Sequence, residues 1–301
     1  MTAASSVSVE WIAADWGTSH LRVTAMAAAG PVATAASADG MGRLHPEEFE
    51  PALLRLIAPW LTAGVTPVIA CGMVGARQGW VEASYRAVPC TPAAMDMLTR
   101  APTQDKRITV HITPGLSQIR PADVMRGEET QVAGALVLNP DYDGVICLPG
   151  THSKWVHVSA GEVVSFQTCM TGELFSLLSQ QSVLRHGIAA TGFAPEPFDA
   201  ALSDALSRPE KLAAYLFSLR AEGLLADLPP IAARSRLSGL LIGIELAATK
   251  PYWLGQRVTL IGEAALCGFY ARALASQGVS VDLLPAGDAT LAGLSKLRGV
   301  L

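Results

Sequence analysis

Apolar residues run in short blocks along most of this chain, and Gly, Pro, Asn and Asp collect between the blocks. Residues 9–15 form an apolar run that stops at Gly17 after two more positions. Residues 20–26 and 31–37 follow, joined by short Gly-containing turns, which reads as three successive strands. The period then changes. Phe49, Leu53, Leu56, Ile57 and Trp60 fall on one helical face and predict a helix over 47–61. Strands are expected at 66–71 and 108–112, and a helix at 128–138.

Asn139-Pro140-Asp141-Tyr142-Asp143-Gly144 is the strongest break in the pattern. Beyond it the order restarts: strands at 145–148, 154–158 and 162–167, then helices at 173–184, 212–225 and 235–249. A strand at 258–261, a helix at 264–277 and a strand at 279–284 follow. Asp288 is placed to N-cap a last helix whose Leu291, Leu294 and Leu297 share a face. Residues 187–230 show little beyond the helix at their end.

The length of 301 residues suits two domains, expected at 1–139 and 140–301. Half of the residues are hydrophobic, 16% are charged, and the mean hydropathy is +0.33. The longest uncharged run, 56–76, is long enough to span a bilayer. Pro59, Gly64, Pro67, Gly72 and Gly75 interrupt it, so helix, turn and buried strand is the better reading. No membrane partner is expected. The start lacks a basic segment, and the five cysteines are scattered with no Cys-x-x-Cys pair. Reduced thiols and a cytoplasmic location follow as expectations. The formal charge of −4, with no basic run, argues against nucleic acid. His20, His45, His111, His157 and His186 form no spaced pair of metal ligands.

A weak internal repeat gives the pattern its meaning. Asp15-Trp16-Gly17-Thr18-Ser19 can be laid on Leu148-Pro149-Gly150-Thr151-His152, each a strand followed by a Gly-Thr turn and another strand. Two α/β units around a hinge, with a cleft between them, are expected. A turn of Gly and hydroxyl residues exposes backbone N–H groups, and two matching turns suggest phosphate binding. Asp15, at the end of an apolar strand, either caps the turn or holds Mg²⁺ beside phosphates. Lys154 and Arg22 follow the turns and point either at phosphate or at solvent.

Asp-x-Gly-Thr-Ser, a second Gly-Thr turn and a late Gly-Glu before a helix together resemble the actin/hexokinase/Hsp70 superfamily. The resemblance implies duplicated ribonuclease-H-like domains with mixed sheets around an interdomain cleft. It also implies ATP held by Gly17, Thr18 and Ser19 from one turn and by Gly150, Thr151, His152, Ser153 and Lys154 from the other. Gly262 and Glu263, within Ile261-Gly-Glu-Ala-Ala265, are similar to the adenosine segment.

Four segments look more narrowly like the 2-dehydro-3-deoxygalactonokinase family: 14–19, Cys71-Gly-Met-Val-Gly-Ala-Arg77-Gln78-Gly-Trp80, Val124-Met-Arg126-Gly-Glu128-Glu129-Thr-Gln131, and 148–155. That family implies transfer of the γ-phosphoryl of ATP to a 2-keto-3-deoxy sugar acid, with Mg²⁺. Glu128 and Glu129 open a helix; one is expected to be the general base, with Glu129 preferred, although acidic residues also suit a helix start on electrostatic grounds alone. Arg77 is suited to the substrate carboxylate, with Arg126 as a second choice. Gln78 is expected on the hydroxyls and Trp80 against the carbon skeleton. Other enzymes on the same fold, or a filament-forming or regulatory member, are the competing readings. Oligomeric state is left open.

Overall fold

The computed structural model describes residues 8–93 and 95–299. The chain divides into two units. The first comprises the chain up to Tyr142, Ser159–Ser165 and the segment from Ala286 onward; the second comprises Asp143–Val158 and Phe166–Pro285.

In the first unit, β1 (Trp11–Trp16), β2 (Leu21–Ala27) and β3 (Gly30–Ser37) form an antiparallel meander. After α1 (Phe49–Ile57) the chain enters β4 (Thr66–Gly72), parallel to β1. Next come β5 (Tyr85–Ala87), β6 (Thr99–Arg100), β7 (Ile108–Ile112), β8 (Gly115–Gln118), β9 (Asp123–Met125) and α2 (Glu128–Leu138). The main sheet has the order β3-β2-β1-β4-β7-β6, and β5-β8-β9 make a small second sheet.

The second unit contains β10 (Gly144–Leu148), β11 (Ser153–Ser159) and β12 (Glu162–Cys169). Then come α3 (Thr171–Gln180), α4 (Pro195–Ser207), α5 (Leu212–Leu225), α6 (Pro230–Ala248) and the short α7 (Lys250–Trp253). It closes with β13 (Val258–Gly262), α8 (Ala264–Ala275) and β14 (Val281–Pro285). Its sheet order, β12-β11-β10-β13-β14, repeats β3-β2-β1-β4-β7 strand for strand. In both sheets the first strand pairs antiparallel with the second and parallel with the fourth. This duplicated ribonuclease-H-like arrangement is the actin/hexokinase-type fold.

The central position of β1 explains its sequence. Ile12, Ala14 and Trp16 face α1, where Phe49, Leu53 and Ile57 are fully buried. Trp11 and Ala13 face the other way, onto Ile69, Cys71 and the C-terminal α9 (Ala286–Arg298), through Leu294 and Leu297. A strand covered on both faces reads as continuously apolar. Each of those α1 side chains contributes about 1.5–3 kcal/mol by leaving water. No helix among the described residues is long and apolar enough to cross a membrane.

Several expectations need correction. The helix expected over 47–61 is α1 alone, with 3-10 turns on either side; the second carries Pro59. The small sheet and α4 were not expected at all. Asp288 lies in the first turn of α9 rather than at its N-cap. Most consequentially, α9 packs in the first unit and not with the second half. It runs against α2 so closely that a Cβ on Gly134 would lie 1.7 Å from Ala289 O, and one on Gly293 2.0 Å from Thr130 O.

Candidate active site

Asp15 and Glu129 of the first unit both lie near Cys71. Asp15 alternates with Ala13 and so points to the α9 side, next to its register partner Cys71 on β4. Cys71 lies within the field of both Asp15 and Glu129 and bonds to the Thr130 side chain. Burial and those two charges push its thiol far above the ordinary range, so it is inert packing. Asp15 is raised by burial, an effect that Arg22, 3.2 Å away, opposes.

Glu129 sits at the start of α2 because of the glycine before it. Gly127 has φ 108°, and a Cβ there would meet Gly72 Cα at 3.1 Å, so this tight entry into the helix requires glycine. The carboxylate folds back: Oε2 accepts from Gly127 N–H at 2.6 Å, while Oε1 accepts from Thr130 at 3.1 Å and more distantly from Thr113 at 3.4 Å. Glu129 is 1% exposed. Burial, then the neighbouring charge of Glu128, raise its pKa to about 7. That value suits a group that must take up and release a proton near neutrality. Glu128 is half-buried and accepts from Arg126 N–H at 3.0 Å. Thr113 carried no motif; Cys71 and Thr130 lie inside quoted segments, but their place beside Glu129 was not readable from the sequence.

The turn between β1 and β2 closes through Gly17 N–H to His20 O at 2.9 Å. Thr18 and Ser19 are exposed on it, and the 40–42 loop braces it from one side through Met41 and Gly42 N–H bonds to Gly17 and Thr18 carbonyls. In the second unit, Gly150 and Thr151 lie at the edge of a cavity of about 630 Å³. Its walls include Phe175, Phe193 and Phe269, with Thr171, Arg234 and Tyr270 as polar points. An apolar chamber with a few polar groups is the usual form of a small-molecule site. Arg234 stacks over the Phe175 ring at 4.9 Å.

Other expected residues are placed differently. Ser153 is fully buried, its Oγ 2.9 Å from Tyr270 Oη, so it lies beneath the turn and not on its lip. Lys154 is buried as well, whereas His152 is exposed and pairs with Glu173 at 2.6 Å. Glu263 caps α8, accepting from Ala265 and Leu266 N–H, and Gly262 lies against Cys267 and Pro149. From the segment around them, Ala265 and Leu266 are the residues that line the cavity. Trp80 is packed among Trp16 and Phe49, with ring centroids at 6.1 and 6.2 Å, and so does not offer a face to a sugar. Arg77 and Gln78 are exposed, with Arg77 3.5 Å from Glu82. Arg126 is buried over the Tyr85 ring at 4.2 Å, its Nη2 donating to Ala83 O at 2.7 Å, while Nε and Nη1 have no partner.

Comparison with known proteins covers both units. A family described as 2-keto-3-deoxy-galactonokinase matches residues 15–297. The chain is 41% identical over 295 residues to a probable 2-dehydro-3-deoxygalactonokinase of Rhizobium meliloti strain 1021, covering 95% of each chain. It is 33% identical to the 2-dehydro-3-deoxygalactonokinase of Escherichia coli K12, covering 97% of this chain and 98% of that one. A crystal structure from Sinorhizobium meliloti, of a protein assigned to the same activity, superposes with a TM-score of 0.89 at 38% identity, covering 97% and 96% of the two chains. The doubled sheet topology and a match spanning both units agree: this chain belongs to the 2-keto-3-deoxy-galactonokinase family.

Proposed function

We propose that the protein is an ATP-dependent kinase that phosphorylates the 6-hydroxyl of 2-dehydro-3-deoxy-D-galactonate. The observation that carries the mechanism is Glu129, buried, oriented by three donors and raised to about 7. Phosphoryl transfer is chiefly positioning and charge stabilisation, with a carboxylate to receive the hydroxyl proton. Glu129 takes that proton as the acceptor oxygen attacks. The Gly127, Thr113 and Thr130 donors fix the carboxylate's direction, so no reorientation precedes the transfer.

The Gly17–Ser19 and Gly150–His152 turns serve as phosphate grips, and the cavity beside Phe175 and Phe269 takes the adenosine. Among the described residues no cluster of three or more His, Cys, Asp or Glu forms a ready metal cage. Mg²⁺ arriving with a nucleotide needs only one or two carboxylates, and Asp15, partly sheltered at the end of β1, fits that role. When bound, the ion neutralises developing phosphate charge. Arg126 supports binding of an acidic substrate: two of its buried nitrogens lack an acceptor, which a sugar-acid carboxylate would provide.

Coupled ADP release on a panel of 2-keto-3-deoxy sugar acids and neutral hexoses tests this reading. Turnover is expected on the galactonate-derived acid. Activity confined to neutral hexoses would overturn the substrate, and no ATP turnover on any acceptor would overturn the kinase reading.

A further inference from the structure

Glu245, in the last turn of α6, is 2% exposed and belongs to none of the motifs considered above. Its Oε1 accepts from Trp155 Nε1–H at 2.8 Å, and its Oε2 from Tyr270 Oη–H at 2.7 Å. The Thr171 and Ser153 side chains also hydrogen-bond to it, and Ser153 Oγ lies 2.9 Å from Tyr270 Oη. Four donors from β11, α3 and α8 therefore converge on one buried carboxylate. A carboxylate is costly to bury away from water, so its place here calls for a geometric reason.

The neighbours supply one. The Gly150–Thr151 turn has an open outer side: a Cβ on Gly150 would touch nothing within 4 Å. The first turn of α3 lies against it, with Glu173 N–H donating to Thr151 O at 2.9 Å and Gly172 so near that a Cβ would sit 2.3 Å from Gly150 O. Thr171, at the head of that helix, and Ser153, two residues beyond Thr151, are both tied to Glu245. Gly150, Thr151, Thr171, Gly172 and Tyr270 all line the cavity, whereas Glu245 does not.

We propose that Glu245 is a positioning residue for the nucleotide: through Ser153, Thr171 and Tyr270 it fixes the Gly150–Thr151 turn and the head of α3 in the geometry that receives ATP. This rests on the reading of the cavity as the nucleotide site.

The test is steady-state kinetics of Glu245→Gln, with ATP and sugar acid varied in turn, beside thermal melting. Glutamine keeps the volume, but its amide nitrogen must face either the indole N–H of Trp155 or the Tyr270 hydroxyl, and the indole can only donate. The expected result is a KM for ATP raised about tenfold, the size of one lost hydrogen bond to a charged group, with kcat and the sugar-acid KM within about twofold of wild type. Tyr270→Phe, which removes one hydroxyl and keeps the ring packed, is expected to shift the same constant in the same direction. It provides the readout if the glutamine variant does not fold. An unchanged KM for ATP, with only a lower melting temperature, reduces Glu245 to a structural group and overturns the proposal. A wild-type protein that turns over sugar acid while the variants keep its ATP constants sinks this inference alone; a wild-type protein that neither binds nor hydrolyses ATP sinks the nucleotide reading with it.

Discussion

At the scale of single residues, Glu129 combines two effects of one environment. Glu129→Gln should lower kcat by about 10²–10⁴-fold, and Glu128→Gln by much less; equal losses in steady-state assays would reassign the base. The base works unprotonated, so kcat/KM should fall about tenfold per pH unit below about 7 and level off above it. The same shift costs stability. A carboxyl whose folded pKa is raised holds its proton in the native chain while the unfolded chain has released it. Stability is therefore full below about 4.5 and declines as pH rises toward about 7. The loss amounts to about 3 kcal/mol, and Glu129→Gln should remove it. Melting curves should show the variant gaining on wild type across that window; a constant difference at all pH values would refute the buried charge. Arg126→Lys should raise the sugar-acid KM about tenfold or more, because an ammonium replaces neither the ring stacking nor the fork of donors. Arg77→Ala, at an exposed ion pair, should change it little. The reverse ranking would move the carboxylate site to Arg77. The acidic helix start was readable from Gly127-Glu128-Glu129. The burial of Glu129 was not, because it depends on Thr113 and Cys71, which neighbour it only through the sheet. Trp80 shows the opposite case: an aromatic in a distinctive motif that packs in the core beside Phe49.

Elements were legible where they were long and periodic. The repeated strand-turn-strand pattern and α1 stand out because apolar residues recur at one spacing. The small β5-β8-β9 sheet escaped notice because its strands are three or four residues long and carry Gly, Ser, Arg and Asp. Helix α4 escaped because Ala201 and Ala205 make up half of its buried face and hardly raise the hydropathy. The last helix was legible as a helix, but nothing in its sequence names its partner. Its approach to α2 through Gly134 and Gly293 gives a prediction. Gly293→Ala would force the Thr130 carbonyl away, costing about 1–3 kcal/mol by overpacking and moving the residue next to Glu129. Chemical denaturation and kcat should both decline, while an exposed change such as Leu225→Ala leaves them near wild type. A fully stable and active Gly293→Ala protein would show that the two helices separate freely.

For the molecule as a whole, the sheet of each unit explains the high hydropathy, since strands covered on two faces need apolar side chains throughout. A ligand that binds only the folded chain stabilises it by about 2.7 kcal/mol at one hundred times its dissociation constant. ATP at that excess should therefore raise the melting temperature by several degrees, and a neutral hexose alone should not. The placement of α9 has one more consequence, for the order of events during synthesis. The first unit draws on segments before and after the second, and the face formed by Trp11, Ala13, Ile69 and Cys71 waits for Leu294 and Leu297. During synthesis that face stays bare while the whole of the second unit is made, because α9 follows it in the chain. The first unit is therefore complete only once α9 has been made and covers strands synthesised well before it.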